Sequence, residues 1–246
     1  MLAWCLAWQG RFEEALSFAS ESLRIAQAAE HPASLASANL GLGFTCLLRG
    51  DLPTAAPTLE RSVDLYRSLH HKVPAALAFL ACAYALTQRV KESFPLFEQS
   101  LDMAAAMKFL PCNSVWIVWW GEACLSGSRL EEAQDHAARA LELARVQKEP
   151  AYEAYALHLL GMIGARSDRP DVESVGRRYR EGMAMAERLG LRPLVARCHL
   201  GLAGLYLRSG DRAEATRHLS IGTEMLQAME MPVWLEQAET LARRLL

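Results

Sequence analysis

The sequence predicts an all-α fold: a right-handed α-α superhelix, or solenoid, of about six helical hairpins closed by one C-terminal helix. Three observations predict it. A motif recurs about every forty residues, a second column of small residues keeps the same step, and prolines punctuate the chain at the same interval.

The motif is a short turn, a small residue soon after it, and then an amphipathic run. It begins at Gly10, Gly50, Gln88, Ser128, Arg169 and Gly210. Its small position is Ala15, Ala55, Ser93, Ala133, Val175 and Ala215, at steps of 40, 38, 40, 42 and 40 residues. The second column lies about twelve residues upstream: Ala3, Gly43, Ala81, Gly121, Gly161 and Ala203. All six are Ala or Gly, although the chain holds only 40 Ala and 15 Gly among 246 residues. Small residues on both helices let two backbones approach closely, and the large neighbours Leu42, Leu80, Trp120, Leu160 and Leu202 fill the flank.

Pro32, Pro74, Pro111, Pro150, Pro193 and Pro232 each precede an apolar-periodic run. Proline suits the first helical turn, where its missing N–H costs nothing. First helices are therefore expected at about 1–9, 33–49, 74–88, 112–127, 151–166 and 193–209. Second helices are expected at about 11–29, 53–69, 91–107, 130–146, 172–189 and 212–229. A last helix over 233–246 caps the array. Gly50-Asp51 and Gly210-Asp211 end one helix and cap the next. Pro57 and Pro95 fall inside second helices and predict a late start or a kink there. No segment alternates with period two, so no strand is expected. Residues 1–246 read as one domain, with repeats at about 1–30, 31–70, 71–109, 110–148, 149–190 and 191–230, then a capping helix over 232–246.

Composition excludes several classes. A net charge of -2, from 26 basic and 28 acidic residues, argues against a nucleic-acid binder. No run of eighteen apolar residues suggests a membrane span. The opening MLAWCLAW lacks the basic region and cleavage site of a signal peptide. The six cysteines form no CxxC pair, which fits reduced thiols in a cytoplasmic protein. No catalytic, metal or cofactor motif is found: no phosphate loop, no HExxH, no GxSxG. Gly41-Leu42-Gly43 reads as helix packing, and His70-His71 as a solvated turn. Cys198 and His199 are helical neighbours whose side chains point apart. Cys46, Cys82 and Cys124 read as small core residues. Arg177, Arg178 and Arg180 read as a solvated face diluted by Asp171, Glu173 and Glu181.

The pattern resembles the tetratricopeptide repeat, with its small residue on the first helix and Ala at the start of the second, as at Gly43/Ala55, Gly121/Ala133 and Ala203/Ala215. The usual unit is about thirty-four residues. The longer step here resembles the subgroup found C-terminally in bacterial signalling ATPases, class III nucleotidyl cyclases and LuxR-type regulators. The stretch Leu191–Leu202, Gly210–Ala215 and Met231–Glu239 is the most specific match. Val175 at the Ala position and two extra residues around Ser167–Pro170 depart from the pattern.

The resemblance implies a non-enzymatic interaction scaffold that binds a peptide or helix in an apolar concave groove lined by first helices. Its register places Leu40, Phe44, Glu122, Tyr155, His158, Met162 and Arg197 on that groove, with Trp116 and Trp119 beside it. Phe44, Trp116, Trp119, Tyr155 and His158 are the expected anchors. Leu40 and Phe44 stand where the co-chaperone subgroup carries carboxylate-gripping residues, so that activity is not expected. A small-ligand-sensing regulatory domain is the alternative. The uncapped first helix of about nine residues predicts a piece of a longer protein, and a chain that self-associates through this helix.

Overall fold

The computed structural model describes residues 2–109 and 111–245. Thirteen helices are found among them, and no strand. They are α1 Leu2–Trp8, α2 Phe12–Ala28, α3 Pro32–Arg49, α4 Leu52–Ser68, α5 Pro74–Leu86, α6 Val90–Ala106 and α7 Asn113–Ser126. There follow α8 Leu130–Val146, α9 Pro150–Gly164, α10 Val172–Arg188, α11 Arg192–Ser209, α12 Arg212–Ala228 and α13 Pro232–Leu245. Every expected helix is present. The chain divides into two compact units, Met1–Trp116 and Ile117–Leu246, and the division falls within α7.

In the first unit each helix from α1 to α6 packs on the next, while α1, α3 and α5 also touch one another in order. The second unit repeats the scheme: α8 to α13 pack in sequence, and α9, α11 and α13 form the inner layer. Two-layer packing of this kind follows from short connections, which force neighbouring helices antiparallel.

Proline marks the helix starts as expected in four cases, with Pro32, Pro74, Pro150 and Pro232 as first helical residues. Pro193 is second in its helix, and Pro111 lies before α7 in the turn. Pro57 and Pro95 do not delay their helices. Both lie in the second turn, and α4 and α6 begin at Leu52 and Val90 ahead of them. The cost is one hydrogen bond to the carbonyl four residues back, spread over helices of 17 residues each.

Helix ends show a repeat that composition conceals. The second residue after each second helix takes a left-handed conformation: Glu30, His70, Lys108, Lys148, Gly190 and Glu230. The next N–H then reaches back to a carbonyl of the last turn, as from Met231 to Leu226 and from Leu191 to Ala186. Only one of the six is glycine, so the turn geometry is imposed by packing on both sides. Second helices begin in one of two ways. Asp51, Asp171 and Asp211 accept from the N–H of Thr54, Ser174 and Glu214. Elsewhere Arg11, Arg89 and Arg129 pair with Glu14, Glu92 and Glu132 three residues on. Those carboxylates sit in the first turn, where the helix dipole favours them.

The two small columns are buried at the hairpin crossings. Ala15, Ala55, Ser93, Ala133 and Ala215 are fully buried. A third column escaped the sequence reading: Ser22, Ser62, Ser100, Ala140, Gly182 and Gly222. Ser62 and Ser100 donate across the hairpin to the carbonyls of Ala36 and Pro74. At Gly182 a Cβ would stand 2.9 Å from the Ala154 carbonyl. Val175, the exception in the Ala column, faces Gly164, where a Cβ would meet its Cγ2 at 2.7 Å. The larger side chain is thus matched by a missing one opposite.

Tyr179 of α10 is the largest such case. Its ring lies where a Cβ on Gly161 would come within 2.8 Å and one on Gly201 within 2.4 Å. It joins Val175, Leu202 and Leu205 in one buried cluster. Replacing Gly161 by Ala in helix interior gains about 1 kcal/mol of propensity. Overpacking against a buried ring costs about 1–3 kcal/mol. The contact is under 3 Å with a side chain that is 2 % exposed, so the steric term should win. Gly161→Ala is expected to lower stability by about 1 kcal/mol in urea denaturation; a rise in the midpoint would show that Tyr179 has room to move.

Candidate functional site

The inner layer of the second unit carries a buried ion pair. Arg197 of α11 donates from Nη2 to Oε1 of Glu122 on α7, at 2.7 Å. Their side chains are 9 % and 14 % exposed. Burial disfavours the Arg197 charge, but the Glu122 carboxylate outweighs it and the guanidinium's pKa is raised. The same guanidinium lies 4.3 Å from the ring centre of Trp234 on α13. His158 of α9 lies beside this pair. Its Nδ1 lies 4.0 Å from Glu122 Oε1 and has no hydrogen-bond partner among the described residues. Burial, then the neighbouring Arg197 charge, holds His158 well below the usual imidazole range, so it is neutral at pH 7.

Above this pair lies a cavity of about 610 Å³. Met162 and Tyr179 contribute from α9 and α10, Leu200 and Gly204 from α11, and Trp234, Gln237, Thr240 and Leu241 from α13. Arg166, Arg197, Arg208 and Arg244 also line it. Arg208 is held in place by donating to the carbonyls of Ala165 and Ser167 at the end of α9. Helix α13 packs on α11 here, with Leu241 beside Gly204, and walls the cavity. The cavity's volume falls within the range of small-molecule and peptide pockets, and its lining mixes apolar side chains with arginines.

The expected groove residues fall into two groups. Glu122, His158, Met162 and Arg197 come together in the second unit, at or below this cavity. Tyr155, Trp119, Trp116 and Phe44 are interior side chains, 1–3 % exposed. Phe44 stacks on Phe79 at 4.4 Å and packs against Trp4 and Trp8. Trp116 stacks on Phe109 at 6.2 Å. The physical reason is the layer itself: first helices touch side by side, so their largest side chains fill the seams between them. Leu40 lines a separate cavity of about 440 Å³ in the first unit, with Leu2, Trp4, Phe18 and Tyr66. Sequence reasoning missed Arg166, Arg208, Arg244 and Trp234. The signal available was a basic residue in the last turn of α11 and α13 and in the turn just after α9.

The remaining motifs are structural. Burial pushes the thiols of Cys46 and Cys124 up to about 11 and that of Cys198 to about 12, which leaves them protonated and unreactive. Cys198 and His199 form no dyad. His199 instead meets His218 of α12, Nδ1 to Nδ1 at 2.8 Å. One ring must donate and the other accept, so the bond needs a neutral acceptor. Arg177 pairs with Glu173, and Arg180 donates to the Tyr206 hydroxyl. Among the described residues no group of three His, Cys, Asp or Glu side chains is placed to hold a metal ion, and no helix is long and apolar enough to cross a membrane.

Family comparison fits this architecture. The profile of the tetratricopeptide repeat matches residues 1–68 and 34–106. Residues 1–106 thus match the tetratricopeptide repeat, and the rest of the chain continues the same hairpin packing. Solved structures share the fold over most of its length. BtubC (BKLC) from P. vanneervenii is 18% identical with a TM-score of 0.58, over 89% of this chain and 92% of that one. A Rap protein in complex with the competence and sporulation factor is 14% identical with a TM-score of 0.68, over 82% of this chain and 57% of that one. The nearly identical TPR-like repeats of a Podosopora anserina kinesin light chain candidate are 21% identical with a TM-score of 0.52, over 82% and 97%. No curated protein sequence matches the chain. At these identities the structural likeness establishes the fold of the repeats and no more.

Two outcomes test the site's electrostatics. Glu122→Gln leaves Arg197 buried without its counter-charge and should cost about 3 kcal/mol in urea denaturation, whereas Glu122→Leu with Arg197→Met should recover most of that loss. Equal costs for the single and double variants would mean that solvent already screens the pair. The histidine pair sets an acid dependence. Burial, the neighbouring His218 and Arg217 lower His199 to about 4, and His218 is lowered too, mainly by burial. Unfolded histidine titrates near about 6.5, so the unfolded state binds more protons below that pH. The stabilising contribution is complete above about pH 6.5 and is lost as pH falls toward about 4, on the order of 1–3 kcal/mol. The urea midpoint should fall over this range, and less steeply in His199→Phe with His218→Leu; an unchanged slope would assign the acid sensitivity elsewhere.

Proposed function

We propose that the chain is a non-enzymatic interaction module that holds a peptide segment in the cavity of its second unit. The observation that carries this reading is the cavity itself, pre-formed between α9, α10, α11 and α13 and floored by a fixed ion pair. Binding to such a surface loses little ordering entropy on the protein side. The exposed rim residues Arg166, Gln237 and Thr240 leave it open to an extended ligand. The Rap structure, whose fold is similar, is of a complex with the competence and sporulation factor, and supports reading this fold as one that takes a partner.

The reading extends the sequence expectation in one respect and narrows it in another. In this reading the groove lies in the second unit, its reachable wall formed by Met162, Trp234, Leu241 and the arginines, with Trp119 and Tyr155 as buried residues of the same unit. The chain is proposed, on the resemblance of its forty-residue repeats, to be the regulatory part of a larger bacterial signalling protein. The volume of about 610 Å³ also favours a second reading, a sensor of a small ligand in the same cavity.

A photo-crosslinking residue at Thr240, on the cavity wall, should capture a peptide or protein from a lysate of the source organism. The same residue at Arg139, on the exposed side of α8, should not capture that species. Equal capture at both positions, or none at Thr240, would rule the cavity out as the peptide site.

A further inference from the structure

The charge of the cavity was not foreseen. Seventeen residues line it, among them four arginines and no Asp or Glu, in a chain whose acidic residues outnumber its basic ones. Arg197 is already neutralised by Glu122. Arg166, Arg208 and Arg244 are exposed at the rim, and no ion pair is found for them among the described residues.

Arg208 and Arg244 stand in the last turns of α11 and α13, and Arg166 lies two residues past the end of α9. Helix ends attract cations, so the helix dipole supplies a local reason for them. It does not cancel them. Each helix end carries roughly half a negative charge. Three ends therefore offset roughly half of three guanidinium charges, and the rim keeps a net positive field. Arg208 is positioned by its bonds to Ala165 and Ser167, so its charge is fixed beside the opening. Inside the rim the wall turns apolar, with Met162, Tyr179, Leu200, Trp234 and Leu241. Guanidinium groups around an aromatic wall match a planar carboxylate next to an apolar side chain. No Asp or Glu lines the cavity to pair with a cationic ligand.

Resting on the reading of the cavity as a peptide site, we propose that its ligand is an acidic–apolar peptide segment, whose carboxylates are held by Arg166, Arg208 and Arg244 while an apolar side chain enters against Trp234 and Tyr179. A charged rim of this kind makes capture dependent on salt, because exposed charges are screened over a Debye length.

The test uses the full chain and three fluorescein-labelled decapeptide pools. In each, randomised Leu, Phe, Tyr and Trp alternate with a fixed residue: Glu in the first pool, Gln in the second, Lys in the third. By fluorescence anisotropy the Glu pool should bind about tenfold or more tighter than the Gln pool, and the Lys pool weakest. The advantage should shrink severalfold between about 50 and about 300 mM salt. Arg166→Gln with Arg244→Gln should remove most of the Glu advantage and leave Gln-pool binding unchanged; circular dichroism on these exposed substitutions checks that the fold persists. Thr240→Trp should weaken every pool by obstructing the cavity. Equal binding of the Glu and Gln pools, both lost in Thr240→Trp, would overturn the charge assignment and leave the peptide site standing. Glu-pool binding that survives both variants, or no binding of any pool, would overturn the proposal together with the site. Displacement of the Glu pool by free indole-3-acetate at lower concentration than by unlabelled peptide would overturn it in favour of a small carboxylate.

Discussion

The structure depends on how closely the two helices of each hairpin approach. At the crossings there is no room for ordinary side chains, and three columns of Ala, Gly and Ser keep them clear. Where one column carries a larger residue, its partner gives way: Val175 faces Gly164, and Tyr179 fills the space left by Gly161 and Gly201. Close packing at this density makes volume, rather than residue identity, the conserved quantity along the repeat. It also explains why Ser is tolerated at Ser62 and Ser100. A small hydroxyl fits, and it finds a carbonyl on the facing helix.

That constraint positions the cavity. Once the hairpins are closed, the first helices of the second unit lie side by side, and residues two hairpins apart face one another across α9. Glu122 and Arg197 are 75 positions apart in sequence and 2.7 Å apart in space. Large apolar side chains of the same layer fill its seams, which is why aromatic residues are scarce at the reachable surface. Helix α13 packs on α11 and α12 and turns Trp234 toward Arg197, so it also walls the cavity.

The fold was legible because its signals are local and repeated. Pro32, Pro74 and Pro150 mark first helical residues, and Gly50 and Gly210 take the left-handed turns expected of them. The third small column was harder to see, because it runs Ser, Ser, Ser, Ala, Gly, Gly and has no single residue type. Glu122, His158, Met162 and Arg197 were placed on one face by register alone, and the structure brings them together. Their exposure was not legible. Periodicity says that Phe44 and Tyr155 face the inner layer, but whether a side chain there meets solvent or the next helix depends on how tightly the layer closes. The rim arginines were hidden for another reason. A basic residue at a helix end is ordinary one helix at a time, and becomes a site only when three such ends converge.

The ion pair between Glu122 and Arg197 bears on mechanics as well as stability. It spans the inner layer of the second unit, so any fanning of α7, α9 and α11 must lengthen it. At an effective dielectric of about 20, drawing the charges apart by about 2 Å weakens their attraction by about 2–3 kcal/mol. The pair therefore acts as a restoring spring inside this unit. A ligand that shares the Arg197 guanidinium would relax the spring, and the unit would register occupancy as a change in its own stiffness.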